Sequence, residues 1–213
     1  MITRPVSTEG SRAIYLIRHG AIRHPENGRR YIGQIDLPLS ALGVRQAEAL
    51  RDRLKDIPVA AIYCSDLSRS LETAGIIAES HRIRPQARPG LREIHLGEWE
   101  GLLLDEVRFR YPDEYEKRGR DFLHFKPPGG ESFLDCANRS YPAILEAVSA
   151  TCGHIVIVGH AGVNRLWLCR IMGAPMDAFF DIAQDYGCLN LITEHNNTFH
   201  LDILNQTSRP ASR

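Results

Sequence analysis

The sequence lacks an excess of charge of either sign and any long apolar run. Acidic and basic residues number 26 each in the 213-residue chain, so no global field favours nucleic acid or an anionic membrane as a partner. No stretch approaches the roughly 18 consecutive apolar residues of a membrane-spanning helix, and the first residues lack the apolar core of a signal peptide. We therefore expect a cytoplasmic protein that binds neither nucleic acid nor membrane.

Several chemical motifs are also missing. The five cysteines form no C-x-x-C pair and their number is odd, which argues against a zinc site and a disulfide framework. The chain contains no Walker A loop, no H-E-x-x-H, no Rossmann G-x-G-x-x-G and no serine nucleophile elbow, which removes the commonest competing chemistries. We predict no bound metal and no cofactor.

Lysine is scarce, whereas arginine is abundant. Only Lys55, Lys117 and Lys126 are lysines among the 26 basic residues. The planar guanidinium fork of arginine suits phosphate or carboxylate ligands. Any affinity for anions must be local, because the net charge is zero.

Short apolar runs that end at glycine or at polar residues predict the strands of a sheet. Amphipathic helical segments alternate with the first of these strands, an order typical of a parallel sheet with helices on its faces. The last two strands flank an Asn-rich turn, which predicts an antiparallel hairpin. The predicted strands are 13–20, 59–63, 83–87 at an edge, 155–159, 188–193 and 198–204.

Capping residues predict where the helices begin. Ser40 has the character of an N-cap for a helix that ends near Ile57. Ser65 or Asp66 can cap the helix that follows the second strand. Pro142 lies in a segment with helical spacing, so we expect a kink or a break there.

These patterns predict one domain over residues 1–213. The fold class is α/β, a three-layer α/β/α sandwich with a mostly parallel central sheet and an antiparallel edge near the C-terminus. An irregular, Pro- and Gly-interrupted stretch at about 98–130 predicts a small helical cap inserted into this domain.

Two predicted strands end in histidine. Arg18, His19 and Gly20 close the first strand, and His160 closes another. Since the carboxyl ends of parallel strands meet at one edge of a sheet, we expect the two histidines to share a site. Imidazole is a competent nucleophile at neutral pH when an acceptor holds the other ring nitrogen and fixes the tautomer, so His19 could attack a phosphoryl group and become phosphohistidine.

A phosphoryl group also needs fixed donors and an acid. Arg18, Arg69 and His160 are the candidate donors, together with the backbone N–H groups of Ala161 and Gly162 at a helix start. A protonated His160 would also stabilise the charge. The leaving group needs a proton from a carboxyl group in a partly enclosed loop. We choose Glu93 for this role, although spacing alone hardly separates it from Glu98 and Glu100.

At these residues the sequence resembles the histidine phosphatase, or phosphoglycerate mutase-like, superfamily, from Ile14 to about Leu204. The resemblance implies that His19 is phosphorylated, that Arg18 and Arg69 bind phosphate, that Glu93 is the acid and that His160 completes the site. The motifs that carry it are LIRHG, RYIGQIDLPLSALGVRQA, SDLSRSLETA, LREIHLGEWEG and VGHAG.

The chain departs from the family after its Arg-His-Gly, where it has Ala21 and Ile22. Asn27 stands nearest to the family's asparagine and is carried over as a substrate-binding candidate. The segments GEWEG, PPGGESF and DYGCLNLI look most like α-ribazole phosphatases of cobalamin synthesis.

The predicted function is a metal-independent, histidine acid-type phosphatase that hydrolyses a small-molecule phosphate ester, with α-ribazole 5′-phosphate as the candidate substrate. Two alternatives stay open: a phosphoglycerate mutase-type phosphotransferase and a catalytically inactive phospho-ligand binder. A second copy of the chain is a candidate partner in a homodimer.

Overall fold

A computed structural model describes residues 10–25 and 28–207. It contains a six-stranded sheet with the strand order β3-β2-β4-β1-β5-β6. Strands β3, β2, β4 and β1 are parallel, and β5 runs antiparallel to both β1 and β6. The strands are β1 (Arg12–Arg18), β2 (Val59–Cys64), β3 (Gln86–Ala87), β4 (His154–Gly159), β5 (Leu189–His195) and β6 (Thr198–Gln206).

Helices cover both faces of this sheet, as the predicted α/β/α sandwich requires. Alternate residues of β1 face two separate cores, because side chains alternate along a strand. Ile14 and Leu16 pack in the larger core, whereas Tyr15 and Ile17 pack in the other. The helices are α1 (Ala41–Leu54), α2 (Ser68–Ala78), α3 (Leu104–Arg110), α4 (Pro112–Arg120), α5 (Phe133–Ser149) and α6 (Ala161–Met172).

The register of the two central strands determines where the site lies. Arg18 of β1 pairs with Gly159 of β4. His19 and His160 are the next residues of these two strands, so both leave the sheet at its carboxyl edge, side by side. The predicted fold class is confirmed.

Local signals account for several element boundaries. The Ser40 side chain caps α1 by accepting a hydrogen bond from the Gly43 N–H, although the helix ends at Leu54 and not near Ile57. The β5–β6 turn places Asn196 and Asn197 at φ of 49° and 61°. Asparagine tolerates this left-handed region well, so the turn is the hairpin that the sequence predicts.

The structure contradicts the predicted N-cap of α2 and the predicted break at Pro142, whereas a kink there stays a prediction. The N-cap of α2 is Leu67 and not Ser65 or Asp66, because Ser65 Oγ bonds the His160 ring and Asp66 forms a bidentate ion pair with Arg92. Pro142 does not break its helix, since α5 runs on through it. The apolar face of α5 is buried on both sides of the proline, and this packing keeps the helix whole.

The predicted cap range holds two short helices, α3 and α4, which meet at Tyr111 before Pro112. Proline at the first position of α4 is favoured, because its missing N–H would be unpaired there in any case. Beneath the helices lies the buried Trp99, whose ring centroid is 5.3 Å from that of Tyr31 and 5.4 Å from that of Phe125. The domain boundaries and the cap insertion at about 98–130 stay predictions.

None of the helices described in 10–25 and 28–207 is both long and apolar enough to span a bilayer.

Candidate active site

His19 lies at the centre of the carboxyl edge and is 4% exposed. Its Nδ1 is 2.7 Å from the carbonyl oxygen of Gly20, so Nδ1 carries the proton and donates it, and Nε2 keeps a free lone pair. Burial lowers the pKa of His19 well below its usual value, and the nearby Arg69 and Arg18 lower it further. His19 is therefore a neutral imidazole with an available nitrogen near neutral pH.

Gly20 allows the backbone after His19 to pack tightly against the start of α1. A Cβ at Gly20 would lie 2.4 Å from the carbonyl oxygen of Gly43. The Gly20 N–H donates to Thr73 Oγ1 at 3.1 Å. The close packing of Gly20 against Gly43 holds the Gly20 carbonyl in place, and this carbonyl fixes the tautomer of His19.

Arg69 is 1% exposed, although it carries a charge. Its guanidinium donates to the carbonyl oxygens of Gly33 at 2.6 Å and Ile35 at 2.8 Å. Across the described residues no carboxylate forms an ion pair with it. Glu93, Asp36 and Glu100 act on Arg69 electrostatically without forming such an ion pair. A buried guanidinium whose hydrogen bonds go to carbonyls favours a bound anion.

Arg18 provides a second cation beside His19. Its Nη1 donates to the Gln184 carbonyl oxygen at 2.5 Å, and its guanidinium stacks on the ring of Tyr186 at 3.7 Å. It too lacks a carboxylate partner within the part of the chain that the structure describes. Two arginines that form no ion pair with the described carboxylates thus lie close to one neutral imidazole.

His160 is fully buried beside His19, with the two ring centroids 5.0 Å apart. Its Nε2 is 2.7 Å from Ser65 Oγ, and its buried Nδ1 has no hydrogen-bond partner among the described residues. Burial lowers the pKa of His160 well below its usual value, and the neighbouring His19 and Arg69 lower it further. His160 is therefore neutral near neutral pH, because the cost of burying a charge next to cations is too high, and the stabilisation that a protonated ring would give is absent.

Glu93 is 8% exposed and faces the start of α6. Its Oε2 accepts a hydrogen bond from the Gly162 N–H at 2.9 Å, and its Oε1 accepts one from the Ile94 N–H at 3.0 Å. A Cβ at Gly162 would lie 2.4 Å from Glu93 Oε1. The first turn of α6 thus holds the Glu93 carboxylate, whereas the sequence suggested that the Gly162 N–H would face an anionic ligand.

The structure separates the three glutamates that spacing could not. Glu98 is exposed, and its carboxylate accepts a hydrogen bond from the Tyr111 hydroxyl at 2.9 Å. The Glu100 carboxylate accepts hydrogen bonds from backbone N–H groups of two loops. Glu93 alone of the three accepts a hydrogen bond from α6, the helix that His160 precedes.

Of the remaining predicted site residues, Ala161 is the first residue of α6, and its contact with a ligand stays a prediction. Asn27 lies outside the described residues. Within 10–25 and 28–207 no group of three or more His, Cys, Asp or Glu side chains is arranged to hold a metal ion.

Sequence reasoning missed the residues that hold these groups in place. Ser65 was read only as a helix cap, and its bond to His160 could not be seen because 95 residues separate the two. Gln184 and Tyr186 contact Arg18 from the loop before β5. The segment DYGCLNLI, which begins in this loop, contributed to the family resemblance, but the sequence does not show what its side chains contact.

The fold and the site together define an α/β protein with a histidine-centred site for an anionic group. The family model described as "Histidine phosphatase superfamily (branch 1)" matches residues 14–207. The chain therefore belongs to the histidine phosphatase superfamily.

Relatives of known name cover most of the chain. It is 28% identical over 193 residues to the adenosylcobalamin/alpha-ribazole phosphatase of Escherichia coli K12, covering 90% of this chain and 95% of that one. It is 35% identical over 166 residues to the metal-independent phosphoserine phosphatase of Arabidopsis thaliana, covering 76% and 69%. The crystal structure of the alpha-ribazole phosphatase from Shigella flexneri matches with a TM-score of 0.85 at 27% identity, covering 94% and 100%.

Proposed function

We propose that the protein hydrolyses phosphate monoesters through a phosphohistidine on His19. The observation that carries this proposal is the pairing of a buried, neutral imidazole with two arginines that have no carboxylate partner among the described residues. Such a site neutralises the charge of a phosphoryl group and presents a nucleophile to it.

In the first step, His19 Nε2 attacks phosphorus while the bond to the ester oxygen breaks. Glu93 gives its proton to the leaving oxygen, so an alcohol departs and an N–P bond has formed. Arg18, Arg69 and His160 hold the other phosphoryl oxygens. The Gly20 carbonyl accepts the Nδ1–H hydrogen bond and stabilises the positive charge that develops on the ring.

In the second step, a water molecule attacks phosphorus and the N–P bond breaks. The Glu93 carboxylate accepts a proton from this water, and inorganic phosphate leaves. His19 returns to the neutral form and Glu93 to the protonated form, so both groups are ready for another cycle. If the Ser65 hydroxyl donates to His160 Nε2, then His160 Nδ1–H is free to donate to the phosphoryl group in both steps without a charge on the ring.

Among phosphate esters, α-ribazole 5′-phosphate is our proposed substrate, in cobalamin synthesis. Support comes from alpha-ribazole phosphatases whose matches cover nine tenths of this chain or more, among them those of Escherichia coli K12 and Shigella flexneri. We further propose a cytoplasmic, metal-independent, acid-type phosphatase that forms a homodimer. Asn27 and Ala161 stay proposed as substrate contacts.

The test uses p-nitrophenyl phosphate with the wild-type protein and the variant His19→Ala. We expect hydrolysis by the wild type in the presence of EDTA and none by the variant. His200→Ala is the matched control, since this ring is exposed and its removal should leave turnover unchanged. Undiminished hydrolysis by His19→Ala, or loss of wild-type activity in EDTA, would show that the proposed mechanism is wrong.

A panel of phosphate esters then identifies the substrate. We expect α-ribazole 5′-phosphate to give the highest kcat/KM. Isomerisation of 3-phosphoglycerate without its hydrolysis would instead support the mutase alternative. Phosphate binding without turnover of any ester would support the inactive binder.

A further inference from the structure

The Glu100 carboxylate accepts hydrogen bonds from four backbone N–H groups. One oxygen accepts from Gly33 and Ile35, both at 3.1 Å. The other oxygen accepts from Gln34 at 2.6 Å and Leu96 at 3.0 Å. No cation among the described residues forms an ion pair with it. Glu100 thus joins the loop at 33–35 to the loop that carries the proposed acid.

The loop that Glu100 holds through its N–H groups is the same loop that holds Arg69 through its carbonyls. Arg69 donates to the carbonyl oxygens of Gly33 and Ile35. A guanidinium has five N–H donors, of which two are used here, and a fork formed by two of the others can bind a phosphoryl group. The two carbonyls determine the orientation of the guanidinium and therefore of its remaining N–H groups. Glu100 in turn holds the peptide units that contain or adjoin these carbonyls.

The contact between the two loops leaves no space for a side chain at position 33. A Cβ at Gly33 would lie 2.3 Å from the Ile94 carbonyl oxygen and 2.5 Å from Glu100 Oε1. The Gln34 side chain also crosses this contact, because its Nε2 donates to the Glu93 carbonyl oxygen at 3.0 Å. The two loops are therefore one packed unit with the Glu100 carboxylate inside it.

We propose that Glu100 is a positioning residue, which sets Arg69 for the phosphoryl group through the backbone of residues 33–35. This inference rests on the proposed function, in which Arg69 binds the phosphoryl oxygens. Glu100→Gln keeps one acceptor oxygen and replaces the other with an NH2 donor that faces backbone N–H groups. The loop must then shift, and the carbonyls that hold Arg69 must shift with it.

The test is a double-mutant cycle on kcat/KM for p-nitrophenyl phosphate with Arg69→Ala, Glu100→Gln and the double variant. We expect Glu100→Gln alone to lower kcat/KM by about tenfold or more, since it misplaces charge-assisted hydrogen bonds. In the Arg69→Ala background the same change should lower kcat/KM by less than about threefold, because the group through which it acts is gone. Inhibition by vanadate provides a second readout, and Glu100→Gln should weaken it by a factor similar to its effect on kcat/KM.

Two controls separate positioning from general damage. Glu98→Gln makes the same chemical change at an exposed carboxylate and should leave kcat/KM and vanadate inhibition unchanged. Glu100→Asp keeps the charge and both acceptor oxygens, so its kcat/KM should lie between those of the wild type and Glu100→Gln. If Glu100→Gln does not fold, the cycle is run with Glu100→Asp and carries the same expectation of non-additivity.

The outcomes distinguish this inference from the proposed function. An unchanged kcat/KM in Arg69→Ala would contradict the role of Arg69 and hence the proposed mechanism. A large loss in Arg69→Ala, combined with an equal effect of the Glu100 change in both backgrounds, would overturn the inference alone. So would full activity and full vanadate inhibition in Glu100→Gln.

Discussion

The two buried histidines make a sharp prediction about stability at low pH. Burial lowers the pKa of both His19 and His160 in the folded protein, whereas a histidine in the unfolded chain has a pKa of about 6.5. Below pH 6.5 the unfolded chain therefore takes up protons that the folded protein does not. Stability is unaffected by these groups above that pH and falls as the pH decreases towards their folded-state pKa values.

The size of the effect follows from linkage. Each ring that stays neutral in the folded protein costs on the order of 1 kcal/mol of unfolding free energy at pH 5.5 relative to pH 7.5. Together, His19 and His160 should cost on the order of 2 kcal/mol over this interval, a sizeable part of the roughly 5–15 kcal/mol that is typical of a domain. Neighbouring carboxylates titrate as well, so the comparison must be made against a variant.

The assay is urea unfolding at pH 7.5, 6.5 and 5.5 in a buffer without phosphate, followed by the fluorescence of Trp99 and Trp167, both of which are buried. His19→Asn should lose less unfolding free energy than the wild type between pH 7.5 and 5.5, by on the order of 1 kcal/mol, because one of the two rings is gone. His200→Asn, at an exposed ring, should behave like the wild type. Equal losses in the wild type and His19→Asn would refute the inference that His19 is held neutral.

Three further substitutions test other contacts. Gly162→Ala places a Cβ 2.4 Å from Glu93 Oε1, so kcat for an alkyl phosphate should fall about tenfold or more. For p-nitrophenyl phosphate kcat should fall less, because its leaving group needs little protonation. Equal losses would contradict the role of Glu93 as acid. Ser65→Ala leaves His160 Nε2 without its partner and should lower the unfolding free energy by about 1–3 kcal/mol in urea; no change would show that the bond contributes nothing. Trp99→Ala should lower the unfolding free energy by about 3–5 kcal/mol and with it the Tm. A smaller loss would mean that the ring contributes little to the core beneath α3 and α4.

Local and periodic signals predicted most of the fold. Strand β1 could be predicted because it is apolar on both faces and ends at Arg-His-Gly, and the Asn-rich turn predicted the β5–β6 hairpin. The family resemblance, confirmed over residues 14–207, rested on five short motifs around the site. The register of Arg18 opposite Gly159 then brings the two histidine motifs together, as expected for parallel strands.

Features that depend on contacts between distant residues could not be predicted. Ser65 has the composition of a helix cap, but its hydroxyl is used by His160, 95 residues away. Pro142 disfavours a continuous helix locally, but burial on both sides of it outweighs this preference. Similarly, His160 is kept neutral mainly by burial and further by His19 and Arg69, which are distant in sequence.

The phosphohistidine intermediate is the central claim, and trapping it is the most direct test. The protein is mixed with a rapidly hydrolysed phosphate ester, quenched in alkali, digested and examined by mass spectrometry. We expect one phosphoryl group per chain, on His19 and stable to alkali but not to acid. A burst of released alcohol should accompany it. Turnover without any phosphorylated His19, or a phosphoryl group on another residue under the same conditions, would contradict this mechanism.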